Sequence, residues 1–205
     1  MVDPLTSNMS VLRPAVDLLA RGLIVAFPTD TLYGLAVDPR NVSAVAALLR
    51  VKKRREIAIP LISSDLDQVE REVGLMSPMA RRLAATFWPG PLTLILEALP
   101  SLAENLHTGN HSVAVRVPNH PVARELSRLV KHPLTATSAN LSGHEAASTA
   151  DEVIRSLGGT IALVIDGGPT LGGDPSTIVD ARGDHPILVR AGAVAWGHVL
   201  ESNKW

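Results

Sequence analysis

The chain has 205 residues, a formal net charge of −1 and a hydrophobic fraction of 46%, enough for one core that needs no cross-links. It contains no cysteine, which excludes a disulfide framework, a Cys-based zinc site and a thiol nucleophile. With aromatics at 3% and a pI near 6.7, it carries neither a global basic footprint nor a row of stacking platforms for single-stranded RNA.

The opening MVDPLTSNMS has no basic stretch and no apolar run, so no export signal is expected. No apolar stretch approaches the ~20 residues that span a bilayer, and a cytoplasmic chain without membrane attachment is predicted. From Val11 to Arg21, Leu12, Ala15, Val16 and Leu19 recur at helical spacing, with Pro14 placed in the first turn and Gly22 as the stop. Leu23 to Phe27 (LIVAF) reads as a buried strand, and Ser43 to Val51 as a helix with Val45, Leu48 and Leu49 on one face. Ile57 to Ile62 suits an edge or irregular strand because of Pro60. Ser77-Pro78 caps and opens a helix through Phe87. Strands are expected at Leu92–Leu96, Ser112–Val117, Leu134–Thr137, Ile161–Ile165, Ser176–Val179 and Ile187–Val189, with helices near Pro121–Val130 and Thr149–Leu157. The last of these opens on the capping box Thr149-Ala150-Asp151-Glu152. Roughly seven strands and five helices predict an α/β or α+β domain around one twisted sheet. The tail after Arg190 allows a final, loosely docked helix.

Four polar segments sit at the ends of these elements, where loops on a rigid scaffold present functional groups. Pro28 to Leu35 places two threonines and an acid after a buried strand; the residues fit either a small polar ligand or an ordinary Asx or ST turn. Lys52-Lys53-Arg54-Arg55 ends a helix, as a solvated basic terminus or as a phosphate clamp. Ser138 to Gly143 (SANLSG) follows the strand LTAT, and Gly167 to Thr177 is glycine-rich without a Walker or GxGxxG pattern. Arg116 and Arg190 each interrupt an apolar, strand-like run. A guanidinium there needs an anion, whether a ligand or a structural carboxylate. The histidines show no HExxH or other metal spacing, and no GxSxG occurs.

In this order, PTDTLYGLA (28–36), the Lys-x-Arg region, FWPGPLTLIL (87–96), VAVRVPNHP (113–121), SANLSG (138–143), STIVD (176–180) and VRAGA (189–193) resemble the motifs of the YrdC-like family. Each motif is common alone; their ordered conjunction over roughly residues 11 to 193 is specific. The resemblance implies a single α/β (α+β) domain over 1–205, with 194–205 as a short tail. Its twisted mixed sheet would be flanked by helices and carry a concave, positively lined active-site face. It also implies an L-threonylcarbamoyladenylate synthase, a nucleotidyltransferase condensing L-threonine, bicarbonate and ATP into threonylcarbamoyl-AMP and pyrophosphate. Mg²⁺ would accompany the nucleotide. The product would pass to threonylcarbamoyl transferase machinery for tRNA modification, and the concave face would offer a contact for tRNA or double-stranded RNA.

Carried onto this sequence, the resemblance assigns Thr31, Arg116 and Ser176 to L-threonine, Arg116 through the carboxylate. It assigns Lys52, Arg54, Ser112, Ser138, Asn140 and Arg190 to ATP. No residue is assigned as nucleophile or metal ligand, because the chemistry asks for positioning and charge stabilisation. The register Ala44-Val45…Leu48-Leu49 selects Lys52 and Arg54, whereas counting back from Pro60-Leu61 selects Lys53 and Arg55. Ile59 and Ser64 stand where many relatives carry Asn and His, and the extra C-terminal domain of longer members is not expected. Competing readings are a YciO-type paralogue without synthase activity, an RNA-binding module, and a carbamoyl-adenylate domain of the hydrogenase-maturation type. The last is disfavoured because its partner domains and zinc motifs do not occur here.

Overall fold

In the computed structural model, which describes residues 9–53, 59–102, 106, 110–141 and 143–202, helices and short strands alternate along the chain. The order is α1 (Met9–Ala20), β1 (Val25–Phe27), β2 (Gly34–Ala36), α2 (Val42–Lys52), β3 (Leu61–Ile62), α3 (Leu66–Glu72), β4 (Gly74–Leu75), α4 (Pro78–Phe87), β5 (Leu92–Ala98) and β6 (Ser112–Arg116). Then come α5 (Pro121–Val130), β7 (Leu134–Thr135), β8 (Thr137–Ser138), α6 (Ala150–Leu157), β9 (Leu163–Val164), β10 (Thr177–Asp180), β11 (Ile187–Arg190) and α7 (Trp196–Ser202).

The α/β class is as expected, but the strands form two mixed sheets rather than one. A four-stranded sheet runs β8-β2-β1-β9, and a seven-stranded sheet runs β11-β10-β5-β6-β3-β7 with β4 beside β5. The segment expected as one strand, Leu134 to Thr137, is where they part. Its first half pairs with β3 and its second half with β2, while the Ala136 N–H between them donates to Pro60 O. A strongly twisted sheet of this many strands relieves its twist by splitting.

Burial explains both sheets. Within LIVAF the strand is Val25–Phe27, buried throughout because β1 is covered on both faces, while Leu23 stays outside it and exposed. Ala26 and Leu35 pack against α2 and α6 through Val45, Leu48 and Val153. Val25 and Phe27 pack against α1 and α5 through Leu19 and Leu126. The larger sheet carries a second apolar core on one face, where Leu92, Leu94, Leu96, Val113, Val115 and Val179 meet Met79, Leu83 and Val199, while at the β3–β7 end Ile62 and Leu134 join the cluster under α1 and α5. Its alternate residues, including Thr93 and Arg116, point to the other face by the period-two rule.

Several local expectations need correction. α1 begins at Met9, so Pro14 lies inside the helix and not in its first turn. The helix forgoes one backbone hydrogen bond there and is held by Ala15 and Leu19, which are fully buried. Of the strand expected at 57–62, only Leu61–Ile62 is extended and paired, with Ile59 and Pro60 outside it; residues 57 and 58 lie outside the described residues. β2, β4 and α3 were not anticipated, being too short to show a period. α7 docks on the same core as α4 through Val199.

Candidate active site

A cleft of about 1080 Å³ opens between the two sheets, large enough for a nucleotide and a small co-substrate. Its floor follows from strand register. Leu94 lies opposite Val115, so the next step of the antiparallel ladder sets Thr93 beside Arg116. Thr93 also lies opposite Ile178, Ile178 opposite Arg190, and Arg116 opposite Ile62. Aligned residues of neighbouring strands share a face. Arg190, Ile178, Thr93, Arg116 and Ile62 therefore form one row across the sheet, and all five line the cleft.

Arg116 is 7% exposed and its Nη1 stands 3.1 Å from Asp30 Oδ1 in a buried ion pair. Burial pulls the guanidinium pKa below its ordinary value; Asp30 opposes that shift and the like charge of Arg190 adds to it. Neither Asp30 oxygen has a geometrically good hydrogen-bond donor. The structural carboxylate considered from the sequence is therefore present, and Arg116 still borders the cleft.

Arg190 donates from Nη2 to Ser176 O (2.6 Å) and to Ser176 Oγ (3.2 Å). Ser176 Oγ is 2.8 Å from Thr93 Oγ1, so a single network sets the serine rotamer. On the opposite wall Thr29 Oγ1 donates to Leu32 O (2.6 Å), accepts from the Thr31 N–H (3.2 Å) and lies 3.1 Å from Thr31 Oγ1. The ST turn thus forms within a segment whose threonines line the cleft. Tyr33 is buried, donating to Gly168 O (2.8 Å) and accepting from the Gly167 N–H (3.3 Å). Desolvation raises its pKa above the usual phenol value, and the charge of Asp166 adds to the rise. This bond ties the glycine-rich segment to the PTDT turn, and a second link runs from Gly172 N to Thr31 O (3.0 Å).

The third wall is the Ser138–Asn140 turn. Ser138 Oγ donates to Asn140 Oδ1 (2.6 Å), and Asn140 Nδ2 donates to His144 O. Beneath it Lys52, 1% exposed, donates to Ser138 O (2.6 Å), Asn140 O (2.7 Å) and Asn140 Oδ1 (2.6 Å). Lys53 is exposed, in the left-handed C-cap position with φ 50°. The capping box of α6 is formed, and Glu152 accepts from the N–H groups of Ser148 and Thr149 and from Ser148 Oγ. The bond from the Ser148 N–H is the leading reason its carboxyl lies below the usual range.

Of the residues singled out from the sequence, Thr31, Arg116, Ser138, Asn140, Ser176 and Arg190 border one cleft. Lys52 lies under it, and Arg54, with Arg55, lies outside the described residues. Ser112 is not brought to the cleft. It shares a face with Arg116 but sits at the other end of β6, about 13 Å away at ~3.3 Å per residue, where Oγ donates to Asn110 Oδ1 (2.7 Å). Asp30, Thr29, Thr93 and Tyr33 were not assigned roles beforehand. Thr93 was legible in principle, since in LTLIL it alternates with the core leucines as Arg116 alternates with Val113 and Val115. Among the described residues no group of three or more His, Cys, Asp or Glu is placed to hold a metal ion. None of the described helices is long and apolar enough to cross a membrane.

The Sua5/YciO/YrdC family, described as "Telomere recombination", matches residues 17–192. A threonylcarbamoyl-AMP synthase of Bacillus subtilis is 39% identical over 197 residues, covering 95% of this chain and 57% of that protein. Among solved structures, Pyrococcus abyssi Sua5 complexed with L-threonine is similar with a TM-score of 0.88 at 33% identity, covering 93% of this chain and 56% of that one. Escherichia coli YciO is similar with a TM-score of 0.82 at 26% identity, covering 90% of each chain. The chain thus spans little more than half the length of the Bacillus and Pyrococcus proteins. By sequence and by fold, the chain belongs to the Sua5/YciO/YrdC family.

Proposed function

We propose that this cleft joins L-threonine, bicarbonate and ATP into threonylcarbamoyl-AMP, with residues 1–205 acting as one YrdC-like unit. The observation that carries the reading is the row on the cleft floor, where buried Arg116 and the Arg190–Ser176–Thr93 network stand side by side facing the Thr29–Thr31 turn. An amino acid carboxylate suits Arg116, whose planar fork matches it in two-point geometry. On the floor the guanidiniums of Arg116 and Arg190 lie near the carboxylate of Asp30, while Arg155, Glu145 and Glu152 also line the cleft, so the positive charge that suits a substrate carboxylate is local to the floor. Thr31 and Ser176, which line the same cleft, would meet the threonine side chain. Ser138, Asn140 and Arg190 border the space for the nucleotide, with Arg54 proposed to reach its phosphates.

The reaction needs no protein nucleophile. The threonine amine attacks the bicarbonate carbon and water is lost, giving a carbamate. A carbamate oxygen then forms a bond to the α-phosphorus while the bond from that phosphorus to the bridging oxygen breaks, releasing pyrophosphate. The protein contributes orientation and cations aimed at developing negative charge. Magnesium would enter with the nucleotide, which Ser138 and Asn140 would border, since this ion keeps several waters and binds substrate phosphates. When bound it would neutralise charge on those phosphates.

The test is incubation of the protein with L-threonine, bicarbonate and Mg·ATP, reading pyrophosphate by coupled assay and product by mass spectrometry. Pyrophosphate release should require both threonine and bicarbonate. Equal turnover when either is omitted would refute the synthase reading and favour a YciO-type role.

A further inference from the structure

We infer that Lys52 is a positioning residue that holds the Ser138–Asn140 turn in its cleft-facing shape, and is not itself a ligand to nucleotide phosphates. The inference rests on the synthase reading for the identity of the ligand, and on geometry for the rest. An ammonium group has three N–H donors and no acceptor. Lys52 Nζ has three oxygens within 2.7 Å, namely Ser138 O, Asn140 O and Asn140 Oδ1, with Ser138 Oγ more distant at 3.4 Å. Its donors are taken. It is also 1% exposed and absent from the cleft lining, which Ser138 and Asn140 do join.

Three oxygens converging on one buried point repel each other unless a cation fills it, so the turn depends on the ammonium for its shape. The same cation orients the Asn140 amide. Because Lys52 can only donate, the amide oxygen must face it, which turns Nδ2 toward His144 O. Ser138 Oγ then donates to that oxygen as well. One buried charge thereby sets two cleft-facing side chains and two backbone carbonyls. For Lys52 to meet a phosphate instead, it would leave three buried acceptors unpaired, which is costly in a dry interior. Helix α2 delivers the side chain: Lys52 is its last residue and shares the buried face of Val45 and Leu48, while Lys53 turns outward.

Two measurements test this together. First, the native protein is treated with an amine-acetylating reagent, with and without a non-hydrolysable ATP analogue, and each lysine is quantified by mass spectrometry. Lys52 should stay unmodified in both samples while Lys53 is modified. Modification of Lys52 in the free protein, with protection by nucleotide, would overturn the inference. Second, Lys52→Met, Asn140→Ala and the double variant are titrated with the ATP analogue and with AMP at two salt concentrations. A positioning role predicts that Lys52→Met weakens both ligands by the same factor, about tenfold or more, the scale of a lost charge-assisted hydrogen bond. The salt dependence should be unchanged, and the double variant no worse than the more impaired single one. Selective loss of triphosphate affinity with a shallower salt dependence would identify a direct phosphate contact and sink the idea. If Lys52→Met does not fold, the labelling pattern still decides. If the wild type binds no adenine nucleotide, the synthase reading fails while labelling of the free protein still reports on Lys52.

Discussion

Removing the carboxylate of Asp30 should expose how much the cleft floor depends on its ion pair. The two side chains are 8% and 7% exposed and 3.1 Å apart, so Asp30→Ala strands a guanidinium that burial already disfavours. Breaking such a pair costs about 3–5 kcal/mol, against total stabilities of about 5–15 kcal/mol for native domains. Urea denaturation of wild type and variant at pH 7 measures the loss, read as stability only if the denaturant slope is unchanged. The informative arm adds L-threonine. A ligand at 100 times its Kd stabilises by about 2.7 kcal/mol through mass action. In Asp30→Ala the substrate carboxylate would also supply the anion that Arg116 has lost, so the variant should gain more from threonine than wild type does. A loss below about 1 kcal/mol would contradict the buried-pair argument. A smaller threonine gain in the variant would refute the placement of the carboxylate at Arg116.

Arg116→Lys should raise the KM for threonine and leave ATP affinity nearly unchanged, since an ammonium cannot reproduce the two-point fork; steady-state kinetics with each substrate varied in turn will show it, and an unchanged threonine KM would count against the assignment. Gly192→Ala places a methyl 2.1 Å from Pro175 O and 2.7 Å from the Ser176 carbonyl carbon, so it must push the Ser176 backbone off the cleft; overpacking of this kind costs about 1–3 kcal/mol, visible as a lowered urea midpoint together with weaker threonine binding. Asp38 gives a pH test. Burial alone would raise its pKa, but hydrogen bonds from the Arg40 side chain and N–H and the charge of nearby His132 hold it below the usual range. A depressed folded pKa contributes stability that is present above the unfolded value of about 3.9 and is lost as pH falls through the folded one. The deficit of Asp38→Asn relative to wild type, measured by thermal unfolding, should therefore be full at pH 7 and shrink as pH falls below about 4; a constant deficit would show that the ionised form is not what matters.

Much of this site could be found in the chain because its motifs sit beside strong local signals. The run LIVAF marks a doubly covered strand, Thr149 to Glu152 announce their helix, and Arg116 in SVAVRVP stands out as a cation that must meet an anion. What stayed hidden depended on contacts far apart in sequence. Helix register puts Lys52 on the face of Val45 and Leu48, but nothing local says that its ammonium meets oxygens 86 and 88 residues away, and a basic cluster at a helix end reads equally well as solvated. Ser112, which the resemblance assigns to ATP, lies only four residues from Arg116, yet an extended strand carries the two to opposite ends. Asp30 was noticed only as an acid in a turn; its pairing with Arg116 joins segments 86 residues apart and has no local signature.

The α/β class, the covered strands, the helix caps and most of the polar segments that border the cleft follow from the residues alone, because each depends on local periodicity, capping chemistry or a contiguous motif. Long-range packing sets the rest: the strands divide into two sheets at Ala136, register aligns Arg190, Thr93 and Arg116 in one row, and Lys52 lies beneath the Ser138–Asn140 turn. Register and strand order are settled by packing between distant segments, where a one-residue slip would turn the row's side chains into the core. That long-range balance is what no local stretch of residues carries.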